Sequence, residues 1–308
     1  MGAFEEKVYI DTYNATLNRL YQQKVSKLIG LVRKESKGGT LTYHDQIAGT
    51  SGRRRTTYNA PTPSIPIDFA RRVISNETWD TADFVDPTQV VQVLQDPTSA
   101  KAEAMAMAAA RKTDQILYDA IRGAALTETG GVTSVPLPST QKIAVGGTPS
   151  GLTLDKLSEA KFIMDDADVP MENRVLMCGA EQIADLNTDT TITSADYNTD
   201  KTISEGDGNV RRLMGFQIIT VNGVRDGDSL LSGARAGNRI LYDTGVIAFC
   251  VAFDASNIIL NRQMGLSTSV DARADLSNVK QILSTMMLGA TRMQEKGVVE
   301  IACKTAAL

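Results

Sequence analysis

Apolar residues recur at steps of three and four along one stretch more regularly than anywhere else in the chain. In DPTSAKAEAMAMAAARKTDQILYDAIRG, Ala102, Met105, Ala106, Ala109, Thr113, Ile116, Leu117, Ala120 and Ile121 share one helical face, with Ala124 continuing it. Asp96 and Pro97 supply a helix start, Arg122 sits in the last turn, and Gly123 reads as a left-handed end residue. The pattern predicts a spine helix from Asp96 to Gly123, about 39 Å long at 1.5 Å per residue. Its face is small at the front and larger at the back, so a neighbour can approach its backbone near Ala102–Ala110.

A second helical pattern covers Phe4 to about Glu35, through Leu17, Leu20, Tyr21, Val25, Leu28, Leu31 and Val32. It reads either as an arm that binds a partner or as a helix packed on its own domain. Gly38 and Gly39 break it. From Thr40 to about Thr81 no amphipathic period is sustained, and SGRRRTT between two extended runs predicts the tip of a two-stranded ribbon. An isolated ribbon is marginal in water, so this one rests on another domain or another chain. Arg53, Arg54 and Arg55 are the candidate subunit-interface residues, meeting acidic groups of a neighbour; with only Tyr58 interleaved they make a poor nucleic-acid patch.

The run VVQVLQ at 90–95 leads into the spine. Beyond it, QKIAVGG reads as extended. Thr153 caps a helix through Ala167 that buries Leu154, Leu157, Ala160, Phe162, Ile163 and Met164. NRVLMCGAEQIADLN reads as strand, turn at Gly179 and helix, without the further glycines and lysine of a phosphate-binding loop. After Arg211 the pattern is β: MGFQIITVNGV, then two strands in RILYDTGVIAFCVAF with a turn at Asp243-Thr244-Gly245, then an alternation through Leu266, Thr268 and Val270. VKQILSTMMLGATRM is ambiguous between helix and strand, and GVVEIACK closes the chain as a strand.

Composition narrows the chemistry. The chain has 308 residues, 42% hydrophobic and 22% charged, with a net charge of −4, which suits an ordered protein and not one that coats nucleic acid. No apolar run is long enough to span a membrane, and MGAFEEKVYI lacks the pattern of a signal peptide. Cys178, Cys250 and Cys303 lie among apolar residues and read as buried, reduced thiols. His44 is the only histidine, read as a surface-loop residue, which leaves the chain without the commonest acid–base catalyst. Residues 181–210 carry seven acids and one base. Within them Asp196, Asn198, Asp200, Thr202, Ser204 and Asp207 have calcium-loop spacing, but Lys201 replaces the turn glycine and Asp207 the bidentate glutamate, so the segment reads as a solvated loop. No catalytic, cofactor-binding or metal residue is assigned.

The order of parts, helical arm, extended ribbon, spine helix, central α/β region and returning strands, resembles the major capsid protein of tailed bacteriophages, with the α+β Hong Kong 97-type fold. Three stretches carry it locally: ADYNTDKTISEGDGNVRRLMGFQIITVNGV, which runs from a polar loop into a "GF-x-I" strand; RILYDTGVIAFCVAF, a strand pair on the spine; and MMLGATRMQEKGVVEI, with Gly289 and Gly297 at its turns. The resemblance implies an N-terminal arm at 1–39, an extension loop at 40–81, a peripheral domain from 82–127 and 241–308, and an axial domain at 128–240. It implies self-assembly through pentamers and hexamers into an icosahedral shell around double-stranded DNA bound without sequence specificity. It further implies a separate scaffolding protein, a portal, assembly in the host cytoplasm, no membrane and no cofactor. An encapsulin-type nanocompartment shell shares the fold and stands as the alternative, with a calcium-stabilised, carboxylate-dependent hydrolase behind it.

Overall fold

The computed structural model describes residues 23–59, 61, 64–86, 98–146, 150–188, 212–221, 241 and 247–304. The Asp96-Pro97 helix start, the 90–95 run, the 196–207 spacing and the Asp243-Thr244-Gly245 turn lie outside these residues.

Fourteen described strands form three sheets. The first strands are β1 (Arg33–Glu35), β2 (Leu41–Ile47), β3 (Phe69–Ser75) and β4 (Glu77–Val85), followed by helix α1 (Thr98–Arg122). Next come β5 (Ala125–Thr127), β6 (Thr133–Val135), β7 (Lys142–Ile143), α2 (Leu154–Asp166), β8 (Arg174–Cys178) and α3 (Ala180–Thr188). The chain then runs through β9 (Arg212–Leu213), β10 (Phe216–Thr220), β11 (Ile247–Asp254), β12 (Ile258–Arg273), β13 (Val279–Arg292) and β14 (Val298–Lys304). Strand order is β1-β12-β13-β4 in one sheet, β7-β14-β11-β8-β10-β9 in the second and β2-β3-β5-β6 in the third.

The helix α1 joins these layers. Its C-terminal half, with Leu117, Tyr118 and Ile121 buried, packs on one face of the six-stranded sheet together with Val175, Met177, Val251 and Phe253. The alternate residues Leu176, Cys178, Cys250 and Ala252 face the other way, into a second core under α2 and α3. That two-sided covering is why β8 reads as an unbroken apolar run rather than an alternation. The N-terminal half of α1 lies on the β13 hairpin, where Met105 and Ala102 meet Val85 and Ile282.

Several expectations change. The helix over Phe4–Glu35 does not hold in its described part: from residue 23 the chain turns and enters β1, parallel to β12. Buried Asp114 of α1 organises this segment, accepting the backbone N–H groups of Lys27 at 3.0 Å and Leu28 at 3.2 Å and the Ser26 hydroxyl at 2.5 Å. Those N–H groups satisfied on another element compete with a helical ladder, and Leu28 and Val32 still reach the core. The ambiguous segment at 279–292 is a strand, held from both sides by β12 and β4.

Local details shift too. Gly123 stays out of the left-handed region, but a side chain there would press on the Asp119 carbonyl. Thr153 precedes α2 without a side-chain cap, and Phe162 is exposed rather than buried. The unexpected buried residue of α2 is Lys156, whose ammonium donates to the carbonyls of Ser150 (2.9 Å), Gly151 (3.0 Å) and Ala302 (3.0 Å). The three cysteines are free and buried, as expected.

Candidate assembly interface

Among the described residues, the ribbon is an element whose outer surface is left bare. Strands β2 and β3 pair antiparallel in unbroken register from Leu41↔Ser75 to Ile47↔Phe69. Seven residues give it a length of about 23 Å. At its far end the cross-strand pair Ile47 and Phe69 is 69% and 74% exposed, and Tyr58 in the loop beyond is 92% exposed. Arg53, Arg54 and Arg55 stand in that loop, all exposed. The Arg55 guanidinium donates to the Thr57 carbonyl at 3.1 Å, and no carboxylate among the described residues pairs with any of the three.

The root of the ribbon is fastened to the body through polar groups. Residues alternate along β2: Tyr43, Asp45 and Ile47 point outward, while Thr42, His44 and Gln46 point inward. At one end, fully buried Asn261 of β12 donates to the Lys37 carbonyl (3.0 Å), the Thr42 hydroxyl (2.9 Å) and the Asn76 carboxamide oxygen (3.1 Å). At the other end, Gln46 and Arg72 both donate to the Met293 carbonyl, and Arg72 pairs with Glu295 at 2.5 Å. Beside them the buried Arg292 guanidinium takes the carbonyls of Ile121, Gly123 and Val135, tying the end of α1 to the β5–β6 hairpin. Burial is the main influence that lowers the Arg292 pKa.

Between these two anchors lies His44, and it is not a surface-loop residue. It sits on β2, 7% exposed, with Nε2 3.5 Å from Glu35 Oε2 and without a hydrogen bond. Burial pushes its pKa down, against the pull of Glu35. Burial also raises the Glu35 carboxyl, but the Lys37 hydrogen bond and the charges of His44, Arg33 and Lys37 outweigh it and leave Glu35 below its ordinary value. Sequence reading missed these root residues because hydrophobic periodicity cannot see an inward face made of Thr, His and Gln. The polar-apolar alternation was there only as Thr42, His44 and Gln46 at steps of two.

A second bare surface lies on the sheet that α1 covers. The helix packs on the side holding Ile282, Ser284 and Met286. The opposite side carries Phe84, 44% exposed, and Met264, 42% exposed, with Asp80 and Asp271 also exposed on it. Among the described residues no group of three or more His, Cys, Asp or Glu is placed to hold a metal, and no helix is long and apolar enough to cross a membrane.

Comparison with known proteins agrees with this architecture. A profile of the phage capsid protein family matches residues 6–305. No curated protein matches the chain. Among solved structures, the capsid of the cyanophage P-SCSP1u superposes with a TM-score of 0.74 at 15% identity, covering 97% of this chain and 94% of that one. A chain of Mycobacterium phage Che8 gives 0.69 at 19% identity over 97% and 98%. The capsid of a native GTA particle gives 0.67 at 12% identity over 97% and 96%. At such identities the likeness is one of fold, and the fold is the Hong Kong 97 type. The chain belongs to the phage capsid protein family, a family of structural shell proteins and not of enzymes.

Proposed function

We infer that this chain is the major capsid protein of a phage-type particle, building an icosahedral shell around packaged double-stranded DNA. The family match over residues 6–305 carries this reading. The molecule's own surfaces agree with it. A monomer gains nothing from a ribbon whose apolar end pair stands in water, whereas a shell is held by many such modest contacts between copies. The slightly acidic balance suits a container filled from outside better than a coat that condenses DNA by charge.

The shell grows from pentamers and hexamers, with a separate scaffolding protein and a portal, in the host cytoplasm. The arm is 1–39, the extension loop 40–81, the peripheral domain 82–127 with 241–308, and the axial domain 128–240. Through β11 and β14 the last segment also completes the six-stranded sheet. Arg53, Arg54 and Arg55 lie at the tip that reaches the neighbouring copy. The bare sheet face with Asp80 and Asp271 offers opposite charge and apolar surface to such a tip.

Electron microscopy of the purified full-length chain, with sedimentation, tests the reading. Closed shells or rings of five and six are expected. A monomer or dimer at every salt concentration, with and without scaffold, overturns it. Reversing Arg53, Arg54 and Arg55 to Glu is expected to block shell closure while leaving the fold intact by circular dichroism. Shells of wild-type yield would remove these residues from the interface.

A further inference from the structure

We propose that the apolar groove between α1 and the β12–β13 hairpin is the seat of this chain's own Leu20 and Tyr21, so that the front of the arm clasps its own subunit. The groove is a cavity of about 270 Å³. One wall is the shallow face of α1 at Ala106, Ala109 and Ala110; the other is Leu260 and Leu266 of β12 with Met286 of β13. Leu260 and Met286 are buried, while Leu266 and the alanines keep part of their surface in water. The charged residues on the border, Lys24 and Arg262, are both exposed. At ~30 Å³ for each liquid water, the cavity has room for roughly nine. A couple of apolar side chains fill such a space; a folded domain does not enter it.

The chain itself leads to this groove. Val25, Ser26 and Ile29 border it together with Lys24. Gln23, where the described residues begin, donates from its side-chain amide to the Val25 carbonyl at 2.9 Å and to the Asp114 carboxylate. Because Asp114 also holds the N–H groups of Lys27 and Leu28, residue 23 is fixed beside α1, next to the end of the groove at Thr113. From Thr113 back to Ala106 the groove follows the helix for about 10 Å at 1.5 Å per residue. Three extended residues at ~3.3 Å each cover that distance. Leu20 and Tyr21 are the apolar residues within this reach of Gln23, and Gln22 between them and Gln23 is polar.

Tethering decides between occupants. Side chains a few residues from a fixed point meet the groove at an effective concentration on the order of millimolar, above that of a separate molecule in dilute solution. The arm of a second copy, or a segment of another protein, would have to displace them. Val25 stands 70% exposed on the same border. A tyrosine ring seated beside it takes that apolar surface out of water, which favours the seated arm further. The front of the arm is then held within one subunit, and the ribbon is left as the element that reaches a neighbour. The clasp is a property of a single copy and stands whether or not copies assemble into a shell.

Photo-crosslinking of the full-length chain tests the clasp, with the benzophenone amino acid benzoylphenylalanine in place of Tyr21. After irradiation and digestion, the peptide holding residue 21 is expected to be joined to the α1 peptide at Ala106–Ala110 or to Met286. The adduct is expected to run as one chain on a denaturing gel. An adduct of two chains would place a second copy's arm in the groove and overturns the proposal. So does an adduct to another protein, or the absence of any adduct to the groove. Ala109→Phe separates seating from mere nearness, because its ring fills the groove from the helix side. It is expected to cut the adduct yield several-fold, and an unchanged yield overturns the proposal. Should Ala109→Phe fail to fold, Leu266→Trp fills the same groove from β12, with the same loss expected and the same outcome counting against the clasp.

Discussion

Asp114 Oδ1 of α1 accepts the backbone N–H of Leu28 at 3.2 Å, a hydrogen bond across 86 positions of sequence that fixes the arm segment to the spine helix. The same carboxylate accepts the N–H of Lys27 and the hydroxyl of Ser26, and it is fully buried. Removing it strands the buried N–H of Leu28 and takes the acceptor from the part-buried N–H of Lys27. Asp114→Ala is expected to lower the unfolding free energy by about 3 kcal/mol, from roughly 1–3 kcal/mol for each buried group left unpaired. Denaturant titration of the unassembled chain reads this loss. Asp114→Asn keeps an acceptor and is expected to lose less.

Gly289 sets how closely β13 approaches the ribbon root. A Cβ at this position would collide with the Ser75 carbonyl oxygen and crowd Ile74 and Asn76. Backbone cannot yield as a side-chain end does, so Gly289→Ala is expected to destabilise by roughly 1–3 kcal/mol, the usual range for overpacking. Gly265 is the control. There a Cβ would meet the tip of the Arg262 side chain, which can swing aside. Melting temperatures of the two variants should separate clearly, with Gly265→Ala near wild type.

The elements with apolar content were legible in the sequence, and those held by polar contacts were not. The α1 face at Met105, Thr113, Leu117 and Ile121 could be read because its period is carried by apolar side chains. So could the two-sided strand β8 and the glycine turn that follows it. The segment at Gln23–Val32 has a convincing helical period, yet its fold is decided by one buried carboxylate 80 or more residues away. A period describes which face could be buried; it cannot report that a distant acceptor captures the backbone first. Arg53–Arg55 could be found as an exposed cluster. Thr42 and Asn261, which anchor the ribbon, look like ordinary loop polarity until the fold brings them together.

Asp185 gives a pH-dependent test of the α2–α3 side. Its carboxylate accepts the Leu152 N–H at 3.2 Å and leaves no room for a side chain at Gly151. Burial raises its pKa, with the Glu181 charge adding to the effect. A carboxyl raised in the folded state weakens the fold while it is ionised and ceases to do so once the pH falls below both of its pKa values. Asp185→Asn keeps the acceptor without the charge. It is therefore expected to be as stable as wild type or more so near pH 7, with the difference shrinking toward about pH 4. Thermal melts across that range check the sign. A variant that loses stability equally at every pH would show that the carboxylate acts through geometry alone.

The thiols answer a different question, how often the six-stranded sheet opens. Cys178, Cys250 and Cys303 come from three adjacent strands and are all buried. Burial pushes the Cys178 thiol up to about 12, against an ordinary 9.0. At a working pH near 8 that leaves about a thousandfold less thiolate than a free cysteine has. The Cys250 thiol is raised as well, first by its hydrogen bond to Cys303 and then by burial. An alkylating reagent needs both access and thiolate: burial denies access to all three, and the thiolate is suppressed at Cys178 and Cys250, whereas the hydrogen bond with Cys250 lowers the Cys303 pKa and leaves burial as its protection. Native protein is therefore expected to take up no label over hours, and guanidinium-unfolded protein to take up three equivalents. Labelling of native protein at a rate that follows denaturant concentration would report global opening of the sheet. Rapid labelling without denaturant would place at least one thiol outside the core, and mass mapping would say which strand had come away.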